Sequence, residues 1–76
     1  MIQIKTFGKL TEIINKEPGI SLPVSMEDFR KQLEVEFPKL QQSVYKIAVN
    51  DQIINDPSFV IQGQASIALL PPFSGG

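Results

Sequence analysis

The sequence predicts a small α+β domain in which a mixed β-sheet is covered on one face by a single main helix. Strand-like stretches of alternating or β-branched residues occur towards both ends of the chain, and one apolar stripe at helical spacing lies between them. The 76 residues are enough for one modest core. A hydrophobic fraction of 42% and a charged fraction of 20% are typical of a globular chain.

The N-terminal part of the chain predicts two strands. Residues 2–7 alternate apolar and polar side chains, as in a strand with one face on a core, and this parity turns Phe7 towards the other face. Residues 10–14 fit a short helical turn and an irregular segment equally well. A turn then leads to a second short strand at residues 20–22, which Pro23 ends. The short separation of the two strands predicts a hairpin.

The main helix is predicted to begin at Ser25. A serine N-cap followed by Glu27 and Asp28 places carboxylates in the first turn, where the helix dipole favours them. Apolar residues then recur at spacings of three and four, and Pro38 ends the regular helix near Phe37. The apolar stripe consists of Met26, Phe29, Leu33, Phe37 and Leu40.

The remaining strands are predicted at residues 44–49, 53–54 and 66–70, with a tight turn at residues 50–51. The resulting order is β-β-α-β-β-β, and its helical crossover makes the first and last strands parallel neighbours. This is the β-grasp architecture. It predicts a folded domain at residues 1–70 and an extended, flexible C-terminal tail at residues 71–76.

The composition excludes several classes of function. The chain has no cysteine, histidine or tryptophan, so it has no thiol nucleophile, no imidazole base and none of the usual zinc or iron–sulfur ligand sets. A net charge of −1 does not predict a positively charged surface that would bind nucleic acid or an anionic membrane. The N-terminus lacks the pattern of a signal peptide, so we expect a cytoplasmic protein without a nucleic-acid or membrane partner.

The C-terminal segment stands out because residues 57–76 carry no charged side chain. Burial of the last strand explains the absence of charge only as far as residue 70, since the final six residues lie beyond that strand. Pro71 and Pro72 stiffen the base of a tail that could reach roughly 20 Å at about 3.3 Å per residue. Gly75 and Gly76 would pass a narrow tunnel. The terminal carboxylate is a poor acyl donor, so another enzyme must activate it.

A family resemblance rests on this tail, where residues 69–76 read Leu-Leu-Pro-Pro-Phe-Ser-Gly-Gly. The motif resembles the terminal signature of the MoaD family, the small sulfur-carrying subunit of molybdopterin synthase, within the ubiquitin-like group that includes the ThiS thiamine sulfur carriers. Residues 4–10 resemble the first strand of that family, residues 48–50 its mid-chain turn and residues 63–70 its last strand. The resemblance therefore covers essentially the whole chain.

The resemblance implies a sulfur carrier whose catalysis is performed by its partners. Gly76 would be adenylated by an E1-like enzyme of MoeB type, which uses ATP, and converted to a thiocarboxylate. The tail would then enter a large synthase subunit of MoaE type and give its sulfur to a pterin precursor to build the dithiolene. The chain itself would bind no cofactor and no metal. The residues implied in tail insertion are Pro71, Pro72, Phe73, Ser74 and Gly75.

A docking patch is predicted on the sheet face opposite the helix, formed by Phe7, Ile53 and Leu70. An exposed apolar patch marks a partner site, and family members use the matching positions for it. The alternative is that these are rim residues of a small core. Three lysines are candidates for a basic rim that meets acidic groups of a partner, although scattered surface lysines are common. They are Lys5, Lys9 and Lys46.

No side chain is predicted to be catalytic. Tyr45 fits a packed strand residue better than a catalytic phenol, and Glu34 with Glu36 fits a solvated helix face better than an acid/base pair. Two other functions remain open from the sequence. One is a sulfur carrier for thiamine or tRNA thiolation, and the other is a non-carrier β-grasp interaction module or protein modifier.

Overall fold

The computed structural model describes residues 4–71, and within them the chain forms two α-helices, one 3₁₀ helix and six strands. The helices are α1 (Leu10–Ile13), α2 (Met26–Glu36) and the 3₁₀ helix Pro38–Gln42. The strands are β1 (Ile4–Thr6), β2 (Val24–Ser25), β3 (Lys46–Val49), β4 (Gln52–Ile53), β5 (Val60–Ile61) and β6 (Ile67–Leu70).

The main sheet has the strand order β1-β6-β3-β4. Strand β1 pairs with β6 in parallel, and β3 is antiparallel to both β6 and β4. The parallel pairing of the first and last strands confirms the predicted helical crossover. With α2 packed on one face of this mixed sheet, the structure confirms the β-grasp fold.

Helix α2 begins and ends where the sequence predicts. The Ser25 side chain accepts a hydrogen bond from the Asp28 backbone N–H at 3.2 Å, which satisfies one of the free N–H groups of the first turn. The helix ends at Glu36, and Pro38 starts the 3₁₀ helix that carries Leu40. All five residues of the predicted stripe are buried, and they pack in one core with Ile47, Val49, Ile67 and Leu69 from the sheet.

The predicted second strand at residues 20–22, and its hairpin with the first, are wrong. Residues 20–22 form no strand, and the second strand lies after Pro23, at Val24–Ser25. It pairs with Val60–Ile61, a strand that the sequence analysis did not predict, to form a separate two-stranded sheet. Burial rather than strand pairing explains the apolar residues before Pro23, because Ile20 is buried in the core from a loop.

Other boundaries shift by one or two residues. Of the two alternatives for residues 10–14, the helical one is correct: Leu10–Ile13 form helix α1, and Leu10 is buried. Strand β3 begins at Lys46 instead of residue 44, because its ladder with β6 starts at the pair of Lys46 with Leu70. The tight turn at residues 50–51 is confirmed, and both of its residues have positive φ.

Candidate functional site

One row of side chains crosses the four strands on the sheet face opposite α2, which we call the outer face. Lys5 pairs with Ala68, Ala68 with Ala48, and Ala48 with Ile53. Neighbouring positions on each strand point the other way, and Leu69, Ile47 and Ile67 are buried in the core. The row is therefore on the outer face, from one edge of the sheet to the other.

A second row lies next to it, towards the end of β6. Leu70 pairs with Lys46 of β3, and Phe7 follows Thr6, whose partner is Leu69. Phe7 and Leu70 are therefore side by side where β1 and β6 end. Phe7 is 48% exposed and Ile53 is 46% exposed, and Leu70 is partly buried. These three apolar side chains share the outer face, as the strand alternation predicts.

The two central side chains of the outer face are small. Ala48 and Ala68 are direct cross-strand partners. Ala48 is 6% exposed and Ala68 is partly buried, and the larger apolar side chains Ile53 and Leu70 lie on the same face.

The base of the tail lies at the edge of this face. Pro71 follows Leu70 directly, and the position that a Cβ would take on Gly8 is 3.9 Å from Pro71 Cγ. Gly8 has φ of +63°, which is a left-handed conformation that glycine adopts without a steric penalty. Pro71 therefore lies beside Gly8, close to Phe7.

The polar side chains on the helix side are engaged in structural contacts. The Tyr45 hydroxyl donates a hydrogen bond of 2.6 Å to Glu34 Oε2, and the Arg30 guanidinium lies 5.1 Å from the centre of the Tyr45 ring. Burial, and next the Glu34 hydrogen bond, raises the pKa of Tyr45 to about 12. Glu36 accepts a hydrogen bond from the Gly19 N–H at 3.0 Å. Tyr45 is thus a packed residue, and Glu34 and Glu36 each accept a structural hydrogen bond.

Neither a metal cluster nor a membrane span is found in the described part of the chain. Across residues 4–71 there is no group of three histidine, cysteine, aspartate or glutamate side chains that could hold a metal ion. None of the helices described is long and apolar enough to cross a membrane.

A sequence profile of the ThiS family matches residues 4–76. The chain belongs to the ThiS family. The match extends from β1 to the last residue, so it includes both the outer face and the Gly-Gly terminus.

The fold of this ThiS-family chain is also similar to that of a solved protein from Pyrococcus furiosus, assigned as a molybdopterin converting factor subunit 1. The two chains superpose with a TM-score of 0.77 over 92% of this chain and 94% of the other, at 14% sequence identity. At that identity the likeness establishes the shared fold.

The predicted site residues of the ThiS-family chain fall into two groups. Phe7 and Leu70 lie side by side on the outer face, and Ile53 lies on the same face but two strands away from Leu70. Pro71 follows Leu70, and the role of these residues in partner binding stays a prediction. The predicted tail residues 72–76, with Gly76 at the end, lie outside the described residues. Sequence reasoning missed Ala48 and Ala68, although the alternation that turns Leu70 outward also turns these alanines outward.

Proposed function

We propose that this chain is a sulfur carrier that serves as the small subunit of a molybdopterin synthase, with the carboxylate of Gly76 as its reactive group. One observation carries the proposal: the match to the ThiS family profile extends to Gly75 and Gly76, which lie five and six residues after Leu70 of β6. The fold shared with a molybdopterin converting factor subunit supports the choice of pathway.

The chemistry that we propose for Gly76 has three balanced steps. The carboxylate attacks the α-phosphorus of ATP on an E1-like partner of MoeB type, which gives an acyl-adenylate and releases pyrophosphate. Hydrosulfide, a sulfur donor at the sulfide level, then attacks the carbonyl carbon and displaces AMP, which leaves a thiocarboxylate with no change of oxidation state. Finally the thiocarboxylate sulfur attacks a carbon of the pterin precursor in the MoaE-type large subunit and displaces an oxygen substituent there, and water then cleaves the bond from the carbonyl carbon to sulfur. The carboxylate is then regenerated.

The folded domain supplies binding and position in this cycle. ATP bound by the E1-like partner supplies the free energy for activation, and residues 4–71 of this chain contain no group of side chains that could hold a metal ion. The outer face holds the domain on each partner, and the neutral tail reaches the reaction centre. We place this cycle in the cytoplasm.

Intact-mass measurement tests the carrier function. The full chain is incubated with its cognate E1-like enzyme, ATP and a sulfur donor, and we expect the mass to rise by the exchange of one oxygen for sulfur. A variant that lacks Gly76 should gain no sulfur, while Gly63→Ala, a change at an internal glycine with open space around it, should behave as the parent. An unchanged mass of the parent chain would overturn the proposal, as would full function without Gly76, which is expected of an interaction module.

A ThiS-type role in thiamine synthesis is the second candidate, because the matching profile is that of the ThiS family. Both candidates form the same thiocarboxylate and differ only in the acceptor. Purified thiocarboxylated chain is therefore given in parallel to a molybdopterin synthase large subunit with its pterin precursor, and to a thiazole synthase. In a third parallel reaction, the thiocarboxylated chain is given to a tRNA-thiolation system. Sulfur transfer in the first arm alone supports the molybdopterin role, and transfer only in another arm assigns the chain to that pathway.

A further inference from the structure

The parallel register of β1 and β6 carries on beyond the last paired residues of the two strands. Thr6 pairs with Leu69. Two further steps along each chain reach Gly8 and Pro71, and these two residues are neighbours: a Cβ on Gly8 would be 3.9 Å from Pro71 Cγ, an ordinary van der Waals distance. Pro71 therefore lies against the domain where the register predicts it, although neither residue belongs to a strand.

The two chain segments stop pairing at this point but stay in contact. Pro71 has no backbone N–H, so it cannot donate a hydrogen bond that would extend the ladder. Gly8 has φ of +63°, and its carbonyl accepts a hydrogen bond from the Thr11 N–H at 3.2 Å, so the chain turns here from β1 into α1. The side of Gly8 that faces the Pro71 ring carries no side chain, which leaves room for the ring.

Both sides of this contact are fixed by buried neighbours. Leu69, two residues before Pro71, is fully buried. Leu10, two residues after Gly8, is 3% exposed, and its N–H donates a hydrogen bond of 3.3 Å to the Phe7 carbonyl. Pro71 itself is partly buried. The domain therefore sets the position of Pro71 from both strands.

We infer that Gly8 and Pro71 form a seat for the base of the tail, so that Pro71 stays on the folded domain while residues 72–76 reach into the partner. Gly8 is then a positioning residue for Gly76, whose reach is that of five residues, at most about 17 Å at about 3.3 Å per residue. A chain fixed at its base loses less conformational freedom when it is bound, so the seat speeds activation of the carboxylate. This inference rests on the proposed function for the reaction at Gly76.

A disulfide lock tests whether Pro71 stays seated. The chain has no cysteine, so Gly8→Cys with Pro71→Cys introduces a single pair of thiols. Register neighbours about 4.8 Å apart are within the Cα separation that a disulfide spans. ATP–pyrophosphate exchange on the cognate E1-like enzyme measures activation of Gly76 without a sulfur donor. The oxidised monomer should catalyse this exchange within about twofold of the parent, and its reduced form about tenfold more slowly, since one backbone residue regains its freedom.

A matched pair of proline variants separates the seat from a general loss of a proline ring. Pro71→Ala should lower the maximal rate of ATP–pyrophosphate exchange about tenfold and change the half-saturating chain concentration by less than about twofold, because the rest of the domain surface is unaltered. Pro57→Ala removes a ring from an exposed turn and keeps the carbonyl that accepts the Glu27 N–H, so it should match the parent in both values. Thermal melts confirm that both variants are folded.

Nuclear magnetic resonance of the unaltered full chain gives a readout that does not depend on a variant folding. A nuclear Overhauser effect is expected between the Gly8 α protons and the Pro71 ring protons. Its absence would overturn the inference, as would failure of the two cysteines to form a disulfide, an unchanged maximal rate in Pro71→Ala, or equal losses in Pro71→Ala and Pro57→Ala. Inactivity of the locked chain alone would mean that Pro71 must leave Gly8 to enter the partner, which also overturns it. These outcomes leave the carrier function intact, whereas a parent chain without ATP–pyrophosphate exchange would overturn the proposed activation of Gly76 together with the inference.

Discussion

The Tyr45 hydroxyl donates a hydrogen bond of 2.6 Å to Glu34 Oε2, and this contact joins the start of β3 to helix α2. Tyr45 directly precedes Lys46, whose partner in the sheet is Leu70, the residue before the tail. The hydrogen bond therefore fixes helix and sheet together at the end of the molecule from which the tail leaves.

The first prediction concerns the pH dependence of stability. Folding raises the pKa of Tyr45 from 10.0 to about 12, chiefly through burial, so the native state favours the neutral phenol. The resulting stabilisation is complete below pH 10 and is lost as the pH rises from 10 to about 12. Because Tyr45 is the only tyrosine, phenolate absorbance should titrate near 12 in the native protein and near 10 in urea.

Tyr45→Phe is both a control for that titration and a second prediction. The phenyl ring keeps the packing, and the lost hydrogen bond lowers the free energy of unfolding by about 1 kcal/mol, since water can reach the partly exposed Glu34. Urea denaturation measures this loss. The variant should also lack the extra decline in stability between pH 10 and 12, while the lysine titrations remain. An identical decline in parent and variant would show that Tyr45 is not its source.

The third prediction concerns the turn before β4. The Asn50 side chain accepts a hydrogen bond from the Ser66 N–H at 3.0 Å, and the Asn50 N–H donates to the Ser66 carbonyl at 2.8 Å. Asn50 also has φ of 52°, which asparagine tolerates better than alanine. Asn50→Ala should therefore lower the free energy of unfolding by about 2 kcal/mol, while Asn50→Asp, which keeps the acceptor, should cost less. Equal losses in the two variants would show that the side-chain acceptor contributes nothing.

The fourth prediction separates backbone strain from crowding at the base of the tail. A Cβ at Gly8 would meet Pro71 Cγ at 3.9 Å, an ordinary contact, so Gly8→Ala is strained only by the φ of +63°. We expect a loss of about 1 kcal/mol in the free energy of unfolding. Gly63→Ala is the matched control: its Cβ would have nothing within 4 Å, and it should leave stability unchanged or slightly higher. Thermal melts of both variants measure these changes in stability. A destabilised Gly63→Ala variant would contradict the assignment of the Gly8→Ala loss to backbone strain.

Local signals predicted helix α2, and the helical crossover predicted the parallel pairing of the first and last strands. The prediction failed at the second strand, whose partner is distant in sequence. The Ser25 cap, the stripe through Leu33 and the break at Pro38 all act within a few residues, so they could be read from the chain. The pairing of Val24 with Ile61 joins segments far apart, and two-residue strands leave no alternation to detect. On the outer face, strand alternation predicted the orientation of Phe7 and Leu70, but the direct pairing of Ala48 with Ala68 follows only from the register of β3 with β6.

The fifth prediction tests the apolar part of the outer face. Ile53 is 46% exposed and pairs with Ala48, so Ile53→Asp would put a carboxylate on the outer face, where a bound partner would desolvate it. Binding to the proposed large subunit should weaken by at least about tenfold, because a desolvated carboxylate without a hydrogen-bond partner replaces an apolar contact. Val35→Asp is the control, because Val35 is 77% exposed on α2, on the other side of the sheet. If both variants fold with melting temperatures close to that of the parent and bind equally well, Ile53 is a rim residue of the core; a selective loss in Ile53→Asp makes the outer face the binding surface.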